Sequence, residues 1–211
     1  MNDGDLCARH HATGQPVRII WQNGRINAVL GANRPTQHDV WIVPGLVDLQ
    51  VNGFGGIDFQ QDDLPLSSLV NASGRLRAAG CTRYLLTLIT DEWPRLIARL
   101  RHLREMRRRS AELRHAIAGW HVEGPFLSSE TGYCGAHDPA LMLDPTAEYI
   151  RELREITGDD PVLLTIAPER ANALAAIEQA VALGLKVSLG HTNAPTEVIA
   201  EAMRRGASGC W

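Results

Sequence analysis

A carboxylate and two imidazoles, each within two residues of a glycine, are the most reactive-looking features of this 211-residue chain. Glu123 lies in the block His121-Val122-Glu123-Gly124-Pro125-Phe126, where it closes a strand. His121 and Glu123 are two apart, so on a strand they share a face. Gly-Pro then ends the strand and leaves Glu123 at its C-terminal lip, where a hard carboxylate oxygen suits a divalent cation. A salt-bridged strand-end carboxylate would read the same way locally. His191, in Gly190-His191-Thr192, follows the apolar run Val187-Ser188-Leu189 and could add an imidazole ligand from a second strand end. His137, in Gly135-Ala136-His137-Asp138-Pro139, lies in a long aperiodic stretch from Phe126 to Asp144. Such a loop usually shapes a substrate, and His137 suits a polar or anionic ligand group.

An earlier segment, Gln50-Val51-Asn52-Gly53-Phe54-Gly55-Gly56, puts amides at two same-face positions. Many barrel-type metal hydrolases have His-x-His there. Amides are poor zinc ligands, so a second metal on this strand is disfavoured. The glycines read either as a close backbone approach to a ligand or as a tight loop.

These residues need a scaffold that brings several strand ends together. Apolar runs read as strands over 41–51, Cys81–Leu88, His115–Val122, Val162–Ile166 and Lys186–Leu189. Between them, helical spacing recurs at Leu69, Ala72, Leu76 and Ala79; at Leu96, Ile97, Leu100 and Leu103; at Ile150, Leu153 and Ile156; at Leu174, Ile177 and Val181; and at Val198, Ile199, Ala202 and Met203. Strands alternating with helices predict α/β architecture with parallel strands. No Gly-x-Gly-x-x-Gly follows the first strand, so the dinucleotide-binding open sheet loses its main signature. Gln50, Asn52, Glu123, Glu169 and His191 all fall at strand C-terminal ends, which converge on one mouth in a (β/α)8 barrel. A full barrel takes roughly 250 residues, and this chain stops where a sixth strand should begin. Upstream, Asn23-Gly24 joins two β-rich runs, a strong hairpin signal. The predicted division is therefore a partial small β domain over 1–43, with a flexible polar start over 1–15, and an incomplete barrel over 44–211.

Charge and composition exclude other classes. A net charge of −3 gives no global pull toward nucleic acid or anionic membrane. The arginines between Arg95 and Arg114 have no interleaved aromatics and read as a solvated helix face. No apolar run approaches the ~20 residues of a membrane span. There is no secretory leader pattern, and the scattered Cys7, Cys81, Cys134 and Cys210 fit reduced thiols in a cytoplasmic protein.

Taken together, Pro44-Gly45-Leu46-Val47-Asp48-Leu49-Gln50-Val51-Asn52-Gly53, His121-Val122-Glu123-Gly124-Pro125-Phe126, Gly135-Ala136-His137 and Gly190-His191-Thr192 resemble the N-terminal portion of the N-acetylglucosamine-6-phosphate deacetylases, of the amidohydrolase superfamily. The resemblance runs from about Val17 to Ala207. It implies an incomplete TIM-like barrel of the metal-dependent amidohydrolase type. It further implies hydrolysis of the acetamide of N-acetylglucosamine 6-phosphate to glucosamine 6-phosphate and acetate, as in amino-sugar catabolism.

In residue terms the resemblance implies Glu123 and His191 as ligands of a divalent ion, zinc first and iron as an alternative. Gln50 would lie near that ion. The Ala136 backbone and the His137 side chain would bind the amino-sugar phosphate. A further metal-binding His, in a Thr-His-Leu-Phe-Asn motif, and the catalytic Asp belong after Trp211 in that family, so no general base is assigned here and the 211 residues alone are expected to be inactive. Two other readings stay open: a truncated, non-catalytic copy, and an amidohydrolase for another N-acetyl sugar or a cyclic amide. An open barrel edge would invite a second copy or another chain.

Overall fold

An Asn-Gly turn organises the first sheet. Strands β1 (Gly4–His10) and β2 (Pro16–Gln22) pair antiparallel, and β2 pairs antiparallel with β3 (Arg25–Gly31). Between β2 and β3, Asn23 and Gly24 both hold positive φ, 51° and 73°, as a two-residue hairpin turn of type I′ requires. A short strand β4 (Trp41–Ile42) runs parallel to β1 on its other edge. The polar start of the chain, expected to be flexible, thus contains a strand from Gly4 to His10. Leu6 and Ala8 alternate with polar neighbours there, a pattern too short to stand out by itself.

This computed structural model describes residues 3–33 and 40–210, and the chain falls into two compact units, Met1–Gly45 and Leu46–Trp211. The run 41–51 is accordingly not one strand. Pro44 and Gly45 interrupt it, and β5 (Leu46–Val51) belongs to the second unit.

That second unit is a curled parallel sheet with helical crossovers. A two-strand hairpin, β6 (Gly53–Phe54) and β7 (Ile57–Asp58), follows β5; then come α1 (Leu66–Ala78), β8 (Cys81–Ile89), α2 (Trp93–Arg109), α3 (Ala111–Ala116) and β9 (Ile117–Glu123). After a long loop with one 3₁₀ turn at Pro139–Leu141 come α4 (Ala147–Thr157), β10 (Val162–Ile166), α5 (Ala173–Ala182), β11 (Lys186–Leu189), α6 (Thr196–Arg204) and β12 (Gly209–Cys210). The strand order is β12-β11-β10-β9-β8-β5, parallel throughout. This is an incomplete barrel, with β12 opening the sixth strand. The glycines after β5 form the tight loop: Gly55 and Gly56 take φ of 64° and 84° in the β6–β7 turn.

The core lies between sheet and helices. Leu86, Leu88, Trp120, Val122, Leu164, Ile166, Val187 and Leu189 meet Leu69, Leu96, Ile97, Leu100, Leu153 and Ile177, all buried. Three helical expectations shift. His115 falls in α3, because Ser110 caps that helix by accepting from Leu113 N–H and delays β9 to Ile117. Val181 and Met203 are 37% and 45% exposed; the buried face of α5 is Ala173, Ala176, Ala180 and the expected Ile177, and that of α6 is the expected Ala202. Nor is α2 simply a solvated arginine face. Arg99 is buried and donates to both Asp62 and Asp91, at 2.7 and 2.9 Å.

At the N-terminal end of β10, Asp160 gathers Trp120 Nε1–H (3.1 Å), Arg107 (2.8 Å) and Arg104 (3.2 Å). Burial pushes its carboxyl up, but these donors and the Arg107 charge outweigh that and hold it below the usual carboxylate range.

Candidate metal centre

Parallel register sets the height of the site. Glu123, the last residue of β9, is aligned with Ile89 on β8 and with Thr165 on β10. Its side chain therefore emerges at the C-terminal rim, together with the loops that follow β8, β9, β10 and β11. One step deeper, His121 is fully buried on the same face. It lies between Thr165 Oγ1 at 2.8 Å from Nε2 and Thr87 Oγ1 at 3.4 Å from Nδ1. Burial pushes this imidazole down to about 4, so it is neutral at pH 7 and serves as a polar strut below the rim.

Glu123, His137 and His191 come together at that rim, each offering one ligand atom within 4.8 Å of the others. Glu123 Oε1 lies 3.3 Å from His191 Nε2, and Oε2 lies 4.0 Å from His137 Nε2. The two imidazoles meet edge to face with centroids 4.6 Å apart. Gln50 reaches across from β5 and donates Nε2–H to Glu123 Oε2 at 2.7 Å. The pair expected from sequence is thus adjacent, Gln50 touches it, and His137, expected as a substrate contact, stands inside the same cluster. Asn52 contributes its carbonyl to Phe59 N–H instead.

Each ring is oriented through its other nitrogen. His191 Nδ1 is 3.1 Å from the Tyr133 carbonyl, an acceptor only, so the ring donates Nδ1–H there and turns Nε2 toward Glu123. This is the arrangement a metal-binding imidazole uses. His137 Nδ1 is 2.8 Å from Thr90 Oγ1, which can donate or accept. Burial, with a smaller push from His191, takes His137 down to about 4, so it is neutral.

Backbone conformation is tuned to this packing. His191 has φ of 50°, a left-handed geometry costing roughly 1–3 kcal/mol outside glycine, and Ser128 N–H holds its carbonyl at 2.9 Å. Gly135 has φ of 60°, and a Cβ there would sit 2.8 Å from His191 Cε1. Ala136 follows directly, which carries His137 inward. A Cβ on Gly124 would fall 2.0 Å from Thr90 Oγ1, so the glycine of the Glu-Gly-Pro block also makes room for the anchor of His137. Sequence reading missed Thr90. The available signal is a hydroxyl immediately after the apolar run Tyr84–Ile89, one residue past the partner of Glu123.

One carboxylate and two imidazole nitrogens suit zinc and similar divalent ions. The side chains of Glu123 and His137 are each only 6% exposed.

No protein-family model matches the chain. Curated proteins do. It is 32% identical over 171 residues to the N-acetylglucosamine-6-phosphate deacetylase of Danio rerio, covering 79% of this chain and 41% of that protein. It is 29% identical over 172 residues to the enzyme of that name from Bacillus subtilis, covering 81% of this chain and 42% of that one. Among solved structures, N-acetyl-D-glucosamine-6-phosphate deacetylase from Mycobacterium smegmatis aligns with a TM-score of 0.82 at 32% identity, over 97% of this chain and 55% of that one. A mutant of that enzyme in complex with N-acetyl-D-glucosamine-6-phosphate aligns equally well. The chain thus spans about two fifths of the length of these curated relatives. The family resemblance and the incomplete barrel read from sequence agree with these findings.

Proposed function

We propose, from the premise that this chain belongs with the N-terminal portion of the N-acetylglucosamine-6-phosphate deacetylases, that it supplies the ion-binding half of a deacetylase site for N-acetylglucosamine 6-phosphate. The observation that carries the reading is the convergence of Glu123 and His191 at one rim, with Gln50 bonded to Glu123. The likeness to a protein solved with that sugar phosphate supports the substrate class.

Glu123 and His191 would hold a divalent ion, with zinc favoured by the mixed oxygen and nitrogen donors. When bound, such an ion supplies Lewis-acid activation of water and of an amide carbonyl. Gln50 fixes the Glu123 carboxylate. The Ala136 backbone and His137 face the acetamide sugar: with Thr90 donating to Nδ1, His137 carries its proton on Nε2 and donates to a substrate oxygen. The proton-transfer carboxylate has no counterpart among Glu123, His137 and His191, and is expected from sequence after Trp211. Asp138 accepts Ala140 N–H and Asp48 accepts Gln50 N–H, so neither is assigned the role. The free thiols Cys7, Cys81 and Cys134 suit a cytoplasmic setting, and no helix among the described residues is long and apolar enough to cross a membrane.

The test is acetate release by the protein that contains this chain, supplied with N-acetylglucosamine 6-phosphate and, separately, with other N-acetyl sugars. Loss of turnover on chelation and in Glu123→Gln is the expected result. Undiminished turnover in either would overturn the assignment.

A further inference from the structure

Glu169, just past the end of β10, touches none of the three clustered donors, yet both of its carboxylate oxygens are directed at the turn that carries one of them. One accepts the Thr192 hydroxyl and the other accepts Asn193 N–H at 3.0 Å. Thr192 Oγ1 in turn accepts Ala194 N–H at 3.0 Å. The three residues so engaged follow His191 directly, the residue with left-handed φ. On the opposite side, Ser128 N–H holds the His191 carbonyl and the Tyr133 carbonyl takes Nδ1–H. The His191 ring and carbonyl are thus held by the loop after β9, and the residues that follow it by Glu169.

We propose that Glu169 is a positioning residue that locks the Gly190–Ala194 turn so that His191 holds its Nε2 beside Glu123. The role as it bears on ion affinity rests on the metal reading above; the orientation of the ring does not. A carboxylate suits the task because it accepts from a hydroxyl and an amide at once, without a proton of its own to place. Glutamine offers one acceptor for Asn193 and one donor that can reach Thr192 Oγ1, so it preserves the link in altered form. Alanine removes it.

The experiment compares the protein that contains this chain with its variants Glu169→Ala, Glu169→Gln and, as a stability control at the other end of β10, Asp160→Asn. Cobalt(II) affinity is read by competition with a chromophoric chelator. The tautomer of His191 is read in the metal-free chain by long-range proton–nitrogen NMR. Unfolding in urea reports stability. Glu169→Ala is expected to weaken cobalt binding about 10–100-fold, as loss of an outer support does, and to replace the single ring state with Nδ1 protonated by a mixture. Glu169→Gln should recover most of both. Asp160→Asn should lose stability with neither change. A Glu169→Ala chain that is merely less stable, with cobalt affinity and tautomer intact, overturns the proposal. If the unsubstituted chain binds no cobalt, the metal reading fails by itself and the tautomer decides: a mixture in Glu169→Ala upholds the positioning role, and an unchanged ring overturns it.

Discussion

The Gln50 amide and the Glu123 carboxylate, 73 residues apart in sequence, are joined by a 2.7 Å hydrogen bond across the concave face of the sheet. A hydrogen bond to a charged acceptor contributes about 1.5–3 kcal/mol. Gln50→Leu should therefore lower stability at neutral pH by an amount in that range, and should loosen Glu123 enough to weaken ion binding several-fold. Urea unfolding and a chelator competition check the two effects separately.

His137 is the member of the cluster whose job the geometry divides. If it donates to substrate, His137→Gln retains cobalt affinity within about threefold, well short of the loss expected for a ligand or its support, while the protein's KM for the sugar phosphate rises. If it holds the ion, cobalt affinity falls with it. The substrate role predicts the first pattern.

Gly135 is irreplaceable for two independent reasons, its φ of 60° and the His191 ring 2.8 Å from where a Cβ would lie. Gly135→Ala should push that ring off Glu123, costing on the order of tenfold in ion affinity while circular dichroism keeps the native helix and strand signature.

The pH response of the metal-free chain follows from the buried imidazoles. His121 and His137 titrate at about 4 in the fold rather than at the ordinary 6.5. Unfolding restores the ordinary value, so the unfolded chain binds more protons between those limits. Stability is complete above about pH 6.5, declines as pH falls, and has lost this contribution once pH drops below about 4. For His121 the difference amounts to roughly 3 kcal/mol. His121→Gln should be less stable at pH 7 and should show a visibly shallower loss between pH 7 and pH 5 in urea titrations.

Edge strand β5 carries Leu46, Val47 and Leu49 at 61%, 57% and 48% exposure, and among the described residues it pairs only with β8. Such an edge favours strand addition. Light scattering over a concentration series should show association of the isolated chain, and Val47→Lys should reduce it. A concentration-independent monomer would count against this edge as the sticky surface.

How much of this was legible beforehand depends on the range of the interaction. Periodicity located the helices because burial on α1, α2 and α4 follows large residues such as Leu69, Leu100 and Ile150. It misplaced weight on Val181 and Met203, which are exposed while Ile177 and Ala202 of the same helices are buried. The Glu123 and His191 motifs were readable because glycines mark strand ends. Thr90 was not, since nothing local says that a hydroxyl just past β8 will meet a histidine 47 residues later. Arg99 was misread for the same reason: its burial is set by Asp62, 37 residues before it. The strand at Gly4–His10 is visible only once β2 and β4 flank it.

The contacts that build the rim span 47 to 73 residues, from His137–Thr90 through His191–Tyr133 and His191–Glu123 to Gln50–Glu123. Loop closure makes such long-range pairings late and costly for a growing chain. No single β/α segment can therefore assemble this donor set by itself, and an ion binding here senses whether strands β5 through β11 have all found their register. During synthesis, ion affinity should rise in one step after the Gly190–Ala194 turn has emerged and docked, so that metal capture reports completion of the sheet, not progress along it.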